Sequence, residues 1–175
     1  AKRTEPVPFT VAYRSSATAD KAMAALVAGW RLAGFEPTTR PITDDYFTAI
    51  SDPRIAGEVD VFWSNWAPAW PSASTILPPL FDSAINLTAS GPGRDYGYWN
   101  DPTLNTRMAQ IQQIDDRAER EAAWAVVDQS LLEQGAYIGL AERRALYVAG
   151  SDVRNLSANT IAGGVVEFAD IAVAQ

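Results

Sequence analysis

The sequence predicts an α/β fold, a mixed open sheet flanked by helices, on three observations. Extended and helical patterns alternate over the first 63 residues. Apolar side chains recur at three- and four-residue spacing in three separate stretches. Glycine or proline punctuation closes most of the segments so defined. Phe9-Thr10-Val11-Ala12-Tyr13 alternates after Pro8 and reads as a strand. Thr18 is the expected N-cap of a helix to about Ala33, whose Met23, Leu26 and Trp30 form one apolar stripe, with Gly34 as its stop. Residues 35–42 form a second extended piece, and Pro37 and Pro41 suit it to a sheet edge. Thr43-Asp44-Asp45 is a cap for a short helix carrying Tyr46, Phe47 and Ile50. Asp52-Pro53 and Gly57 mark a turn, and residues 59–63 are a third strand.

From Ser64 to Asn100 the chain changes character, gathering Trp66, Trp70, Tyr96, Tyr98 and Trp99 among prolines and glycines. A short helix is expected over 74–81 and loop elsewhere. So long a loop points to function, and its aromatic content opposes disorder. Two helices follow. Asp101-Pro102 opens one lined by Leu104, Met108 and Ile111. Asp116 with Glu119 opens another, lined by Trp124, Val127 and Leu131 and closed by Gly135. Residues 137–140, 145–148 and 165–173 are strand candidates, the last with its partner expected outside the chain.

Composition narrows function by exclusion. The 175 residues are enough for a proper core, and 47% apolar with 20% charged is the balance of a globular protein. A net charge of −7, with lysine only at positions 2 and 21 and arginines scattered, opposes nucleic-acid binding. Absence of cysteine and histidine removes thiolate nucleophiles, the commonest general base and the commonest transition-metal ligand. No cofactor is implied, and an enzyme is not expected. The carboxylate pairs Asp44/Asp45 and Asp115/Asp116 could serve a hydrolase, but both stand where helices begin, and capping is the favoured role. The tryptophans are the region most suggestive of a ligand. Trp66 and Trp70 lie among prolines just past the carboxyl end of a strand, where open α/β sheets bind ligands, although packing in a core would also use them.

In combination these segments resemble the family 5 extracellular solute-binding proteins, receptors of ABC importers for dipeptides, oligopeptides and nickel. The resemblance runs through Val59–Trp66, Ala69–Phe81, Tyr96–Pro102, Ile114–Arg120 and Ala136–Leu140, in family order. It implies a periplasmic-binding-protein type II-like lobe over residues 1–175, the C-terminal half of a hinged two-lobed protein whose N-terminal lobe lies outside this chain. The start without Met is expected for a processed or excised piece. The resemblance further implies a small-molecule or peptide ligand, an ABC permease as partner, and an extracytoplasmic, lipid-anchored protein. Its cleft wall is expected from Asn65, Trp66, Trp70, Asp95 and Tyr96, the tryptophans by apolar contact and the others by hydrogen bonds. Peptide-binding members carry an acid three residues after the loop tryptophan, and here Ala69 stands at that place. A free amino terminus would lose a charge-assisted bond of about 1.5–3 kcal/mol, unless Asp82 or Asp95 reaches in. A carbohydrate-binding module is the rival that would also use exposed aromatics, but its usual β-sandwich has no place for these helices.

Overall fold

The computed structural model describes residues 5–141, 146–159 and 164–174. Its packing divides into two compact units. The first comprises Ala1–Asn65 with Ser83–Asn100, and the second Trp66–Asp82 with Asp101–Gln175.

The first unit is built on strand β1 (Val7–Arg14), helix α1 (Ala17–Leu32) and strand β2 (Phe35–Ile42), continuing through α2 (Tyr46–Ile50) and α3 (Pro53–Ala56) to β3 (Val61–Phe62). The strands form a parallel sheet ordered β2-β1-β3, so the proline-bearing β2 does take an edge. Val11, Ala12 and Tyr13 are buried in succession, as a central strand covered on both faces requires. Met23 of α1 packs with Val11 and Tyr13, and Phe9, Leu26, Val27, Trp30 and Trp63 close around them. Phe9 meets Trp30 edge-on at 5.2 Å.

The cap of α1 is Ser16, two residues before the expected Thr18. Ser16 has extended backbone, and its hydroxyl accepts from the Ala19 amide at 3.1 Å, whereas Thr18 is already inside the helix. Asp52-Pro53 is more than a turn. Asp52 caps α3 by accepting from the Arg54 amide at 2.9 Å, with Pro53 at the first helical position. Strand β3 is shorter than expected because the Asp60 carboxylate, in place of a strand carbonyl, takes the Thr10 amide at 2.8 Å. A further short helix, α5 (Ser83–Asn86), falls where loop was expected.

The second unit holds a 3₁₀ turn at Ala73–Thr75, then α4 (Leu77–Phe81), α6 (Pro102–Ile111) and α7 (Arg117–Glu133). Leu104, Met108 and Ile111 of α6 and Ala123, Trp124, Val127 and Leu131 of α7 are buried at the contact between the two helices. Asp101 caps α6, accepting from Thr103 and Leu104 amides, and Asp116 caps α7, accepting from Glu119 at 2.8 Å. The Arg120 guanidinium donates to Ile114 O at 2.6 Å and Asp115 O at 3.1 Å, pinning the connection between them. Gly135, at φ 74°, closes α7 with Gly135 N on Leu132 O and Ala136 N on Leu131 O.

The expected strand at 137–140 does not form. These residues have no strand pairing, and Ile138 is 80% exposed. Of 145–148, Ala145 lies outside the described residues, and 146–148 are likewise unpaired. The expected strand over 165–173 is broken by a 3₁₀ turn at Phe168–Asp170 into β6 (Val165–Val166) and β7 (Ala172–Val173). Their partners are within the chain: β4 (Val153–Arg154) pairs with β7 and β5 (Ala158–Asn159) with β6, both antiparallel. Parallel and antiparallel pairing therefore occupy separate sheets.

Adjacent leucines of α7 test this packing. Leu131→Ala, at a fully buried position, is expected to cost about 2–5 kcal/mol in urea unfolding. Leu132→Ala, 44% exposed, should stay within about 0.5 kcal/mol. Equal losses would contradict the burial pattern.

Candidate functional site

In the second unit the tryptophan loop folds around Thr75, a buried residue that sequence reasoning missed. The Trp66 indole N–H donates to Thr75 O at 2.8 Å, and the Ala69 amide donates to Thr75 Oγ1 at 3.2 Å. The Thr75 hydroxyl in turn donates to Ser72 O at 3.0 Å and lies 3.4 Å from Trp70 O. Ser72 N reaches Trp70 O at 2.7 Å, and the Ser72 and Ser74 hydroxyls pair at 2.9 Å. The sequence signal for this hub is Ser72 two residues before Ser74, and in the structure Ser72 caps the 3₁₀ turn. Trp66 is half-buried with its polar edge engaged, whereas Trp70 is 58% exposed. Below the loop Phe81 stacks on Tyr137 at 5.5 Å, and the Tyr137 hydroxyl donates to Asp128.

In the first unit Asn65 is exposed directly after β3 and Trp63. The other two predicted residues sit in a tight turn. Asp95 N donates to Pro92 O and Tyr98 N to Asp95 O, both at 3.0 Å. Asp95 is 1% exposed. Its Oδ1 accepts from the Trp99 amide at 3.0 Å, while its Oδ2 is buried without a partner among the described residues. Burial pushes this carboxyl up to about 6, against the opposing pull of the Trp99 amide. Tyr96 is half-buried, with its ring 5.8 Å from Phe47. The turn is held by Tyr98, whose backbone sits at φ 53° and whose hydroxyl donates to Ser51 O at 3.2 Å. Gly93 is required here, since its φ is 60° and a Cβ would come within 2.8 Å of Asn86 Oδ1.

The five predicted residues thus divide. Trp66 and Trp70 are joined through Thr75 in one unit, and Asn65, Asp95 and Tyr96 belong to the other. Ala69 is exposed and keeps only a backbone tie to the hub. One acid of each carboxylate pair is a helix cap. Asp45 accepts from the Thr48 hydroxyl at 2.6 Å at the start of α2, and Asp116 caps α7. The hydrogen bonds from Thr48 hold the Asp45 carboxyl below its ordinary value.

Solved structures that share this fold include oligopeptide binding proteins, a murein tripeptide binding protein and a nickel ABC transporter. One is the clavulanic acid biosynthesis oligopeptide binding protein 2, with 19% identity and a TM-score of 0.83 over 96% of this chain and 31% of that one. A second is the Escherichia coli murein tripeptide binding protein MppA, with 21% identity and a TM-score of 0.60 over 74% of this chain and 24% of that one. A third is the Bacillus subtilis oligopeptide-binding protein AppA in complex with a nonapeptide, with 15% identity and a TM-score of 0.57 over 77% of this chain and 27% of that one. The chain therefore spans about a third or less of the length of these proteins. No family model and no curated protein matches the sequence.

Two measurements probe the site's construction. Thr75→Val keeps the shape and removes the hydroxyl, leaving the Ala69 amide unpaired. It should cost about 1–3 kcal/mol and speed amide exchange over residues 66–75, and Thr75→Ser should restore both. Asp95 holds its proton more tightly folded than unfolded, so its contribution to stability is greatest below about pH 4, declines as pH rises to about 6, and is level above. Asp95→Asn should abolish that decline in melting temperature. An undiminished decline in the variant would assign it to another group.

Proposed function

We propose that this chain is one lobe of the substrate-binding component of an ABC importer, which captures an extracytoplasmic solute and delivers it to a permease. The observation that carries the reading is the likeness to an oligopeptide binding protein across 96% of the chain, at a TM-score of 0.83. The exposed Trp70 indole and the part-exposed Trp66, held on a loop with its polar groups satisfied, support a role in ligand contact. Asn65, Asp95 and Tyr96 are the proposed polar contacts. Asp95 contributes through its unpartnered Oδ2 once closure or local opening brings solute to it. The ligand is a peptide or another small polar solute. The partners are the permease and the N-terminal lobe of the same protein, and closure is a hinge motion of the two lobes around the ligand. The site is extracytoplasmic, and lipid anchorage of the whole protein belongs to the same proposal. No helix among the described residues is long and apolar enough to cross a membrane.

The reading is not enzymatic. Asp45 and Asp116, one acid from each pair that could serve a hydrolase, are occupied as helix caps, and the helices of both units oppose a β-sandwich carbohydrate module. The test is solute capture. The complete protein, purified natively and then unfolded, should release a stoichiometric small molecule identifiable by mass spectrometry. Trp70→Ala should lower retention by about tenfold or more, equivalent to about 1.4 kcal/mol, with the melting temperature unchanged because the ring is exposed. Release of nothing, or turnover of a solute that Asp45→Asn or Asp116→Asn abolishes without unfolding, would defeat the proposal.

A further inference from the structure

No residue from Val61 to Phe81 carries a charge, in a chain whose net charge is −7. Within that stretch, several polar groups of residues 66–75 are engaged with one another. The Trp66 indole N–H is given to Thr75 O, the Ala69 amide to Thr75 Oγ1, the Thr75 hydroxyl to Ser72 O, and the Ser72 and Ser74 hydroxyls to each other. What remains outward is the Trp70 indole, 58% exposed between Ala69 and Pro71. Pro68 and Pro71 fix their own φ angles, so the ring's mounting is largely set before anything binds.

We propose that this loop recognises an uncharged planar or apolar group of the ligand by stacking on Trp70, and that it holds no charged terminus. The inference rests on the solute-carrier reading and specifies the chemistry of one part of its ligand. A carboxylate or ammonium pressed against the loop would lose water and find no counter-charge in the stretch. A flat neutral ring loses little hydration and gains the face of the indole. The selectivity is therefore for shape and neutrality, with the rest of the ligand free to carry charge where other residues meet it.

The test is titration of the full chain, followed by the indole N–H resonances in heteronuclear NMR, with Trp70 assigned through Trp70→Phe. Three probes separate the terms: N-acetylphenylalaninamide (neutral, ringed), phenylalaninamide (ringed, cationic amine) and N-acetylalaninamide (neutral, no ring). The neutral ringed probe should move the Trp70 resonance saturably, and N-acetylalaninamide should bind about tenfold more weakly or worse. Phenylalaninamide should bind no tighter than its acetylated form. Binding of the free amine tighter by about threefold or more, through cation–π attraction or an unforeseen acid, overturns the inference. So do shifts that bypass Trp70. If every indole stays unmoved while natively purified protein still releases a solute, the inference falls and the carrier reading stands. If neither experiment detects binding, both fall.

Discussion

Thr75 is the constraint on which the tryptophan loop depends. Residues 66–75 have no strand or long helix to satisfy their backbone, so their polar groups need another partner. One buried threonine supplies it, accepting through both its carbonyl and its hydroxyl and donating through that same hydroxyl. Each bond is modest alone, about 1 kcal/mol net. Together they convert a proline-rich connection into a mounting with one geometry, and Trp70 stays outward because the groups on either side of it are tied inward. Without the hub, an exposed indole on a mobile loop would gain by collapsing onto apolar surface.

What the sequence revealed and what it concealed divide along the range of the interactions. Helices α1, α6 and α7 were legible because their determinants are local: an apolar stripe, an acid or hydroxyl at the start, and a glycine at the end. Even the misplaced cap of α1 was a local contest between Ser16 and Thr18, two competent residues two positions apart. Strand extents were less legible because a strand needs a partner elsewhere in the chain. Asp60 shortened β3 by offering its side chain to Thr10, fifty residues away. Residues 137–140 have the composition of a strand and no pairing to make them one. Of the site, the aromatic loop at Trp66 and Trp70 was legible, but whether those rings pack or stand open was not, and the structure leaves Trp70 exposed. The hub at Thr75 and the burial of Asp95 were not legible, since both are tertiary facts about residue types that usually meet water.

Asp95 is the opposite case to Thr75. Its turn is ordered by one carboxylate oxygen on the Trp99 amide, yet the second oxygen is buried unpaired, and the carboxyl's raised proton affinity expresses that cost. The strain extends to Tyr98, a bulky residue at positive φ, kept there by its hydroxyl on Ser51 O and by its own amide on Asp95 O. An asparagine or serine would fit a purely structural turn with less penalty. Observed strain and an unpaired buried oxygen together identify the 92–99 turn as the part of the first unit whose conformation is least determined by stability alone.

The two regions differ in how their polar groups are used. A neutral stacking surface discriminates weakly, because most rings of suitable size gain similar contact, whereas a buried polar group discriminates strongly by being left unpaired with the wrong solute. The tryptophan loop is of the first kind, with several of its hydrogen bonds made internally and the Trp70 indole exposed. Asp95 Oδ2, without a partner among the described residues, is of the second. On the carrier reading proposed above, the Thr75 hub would serve to hold the Trp70 indole in place.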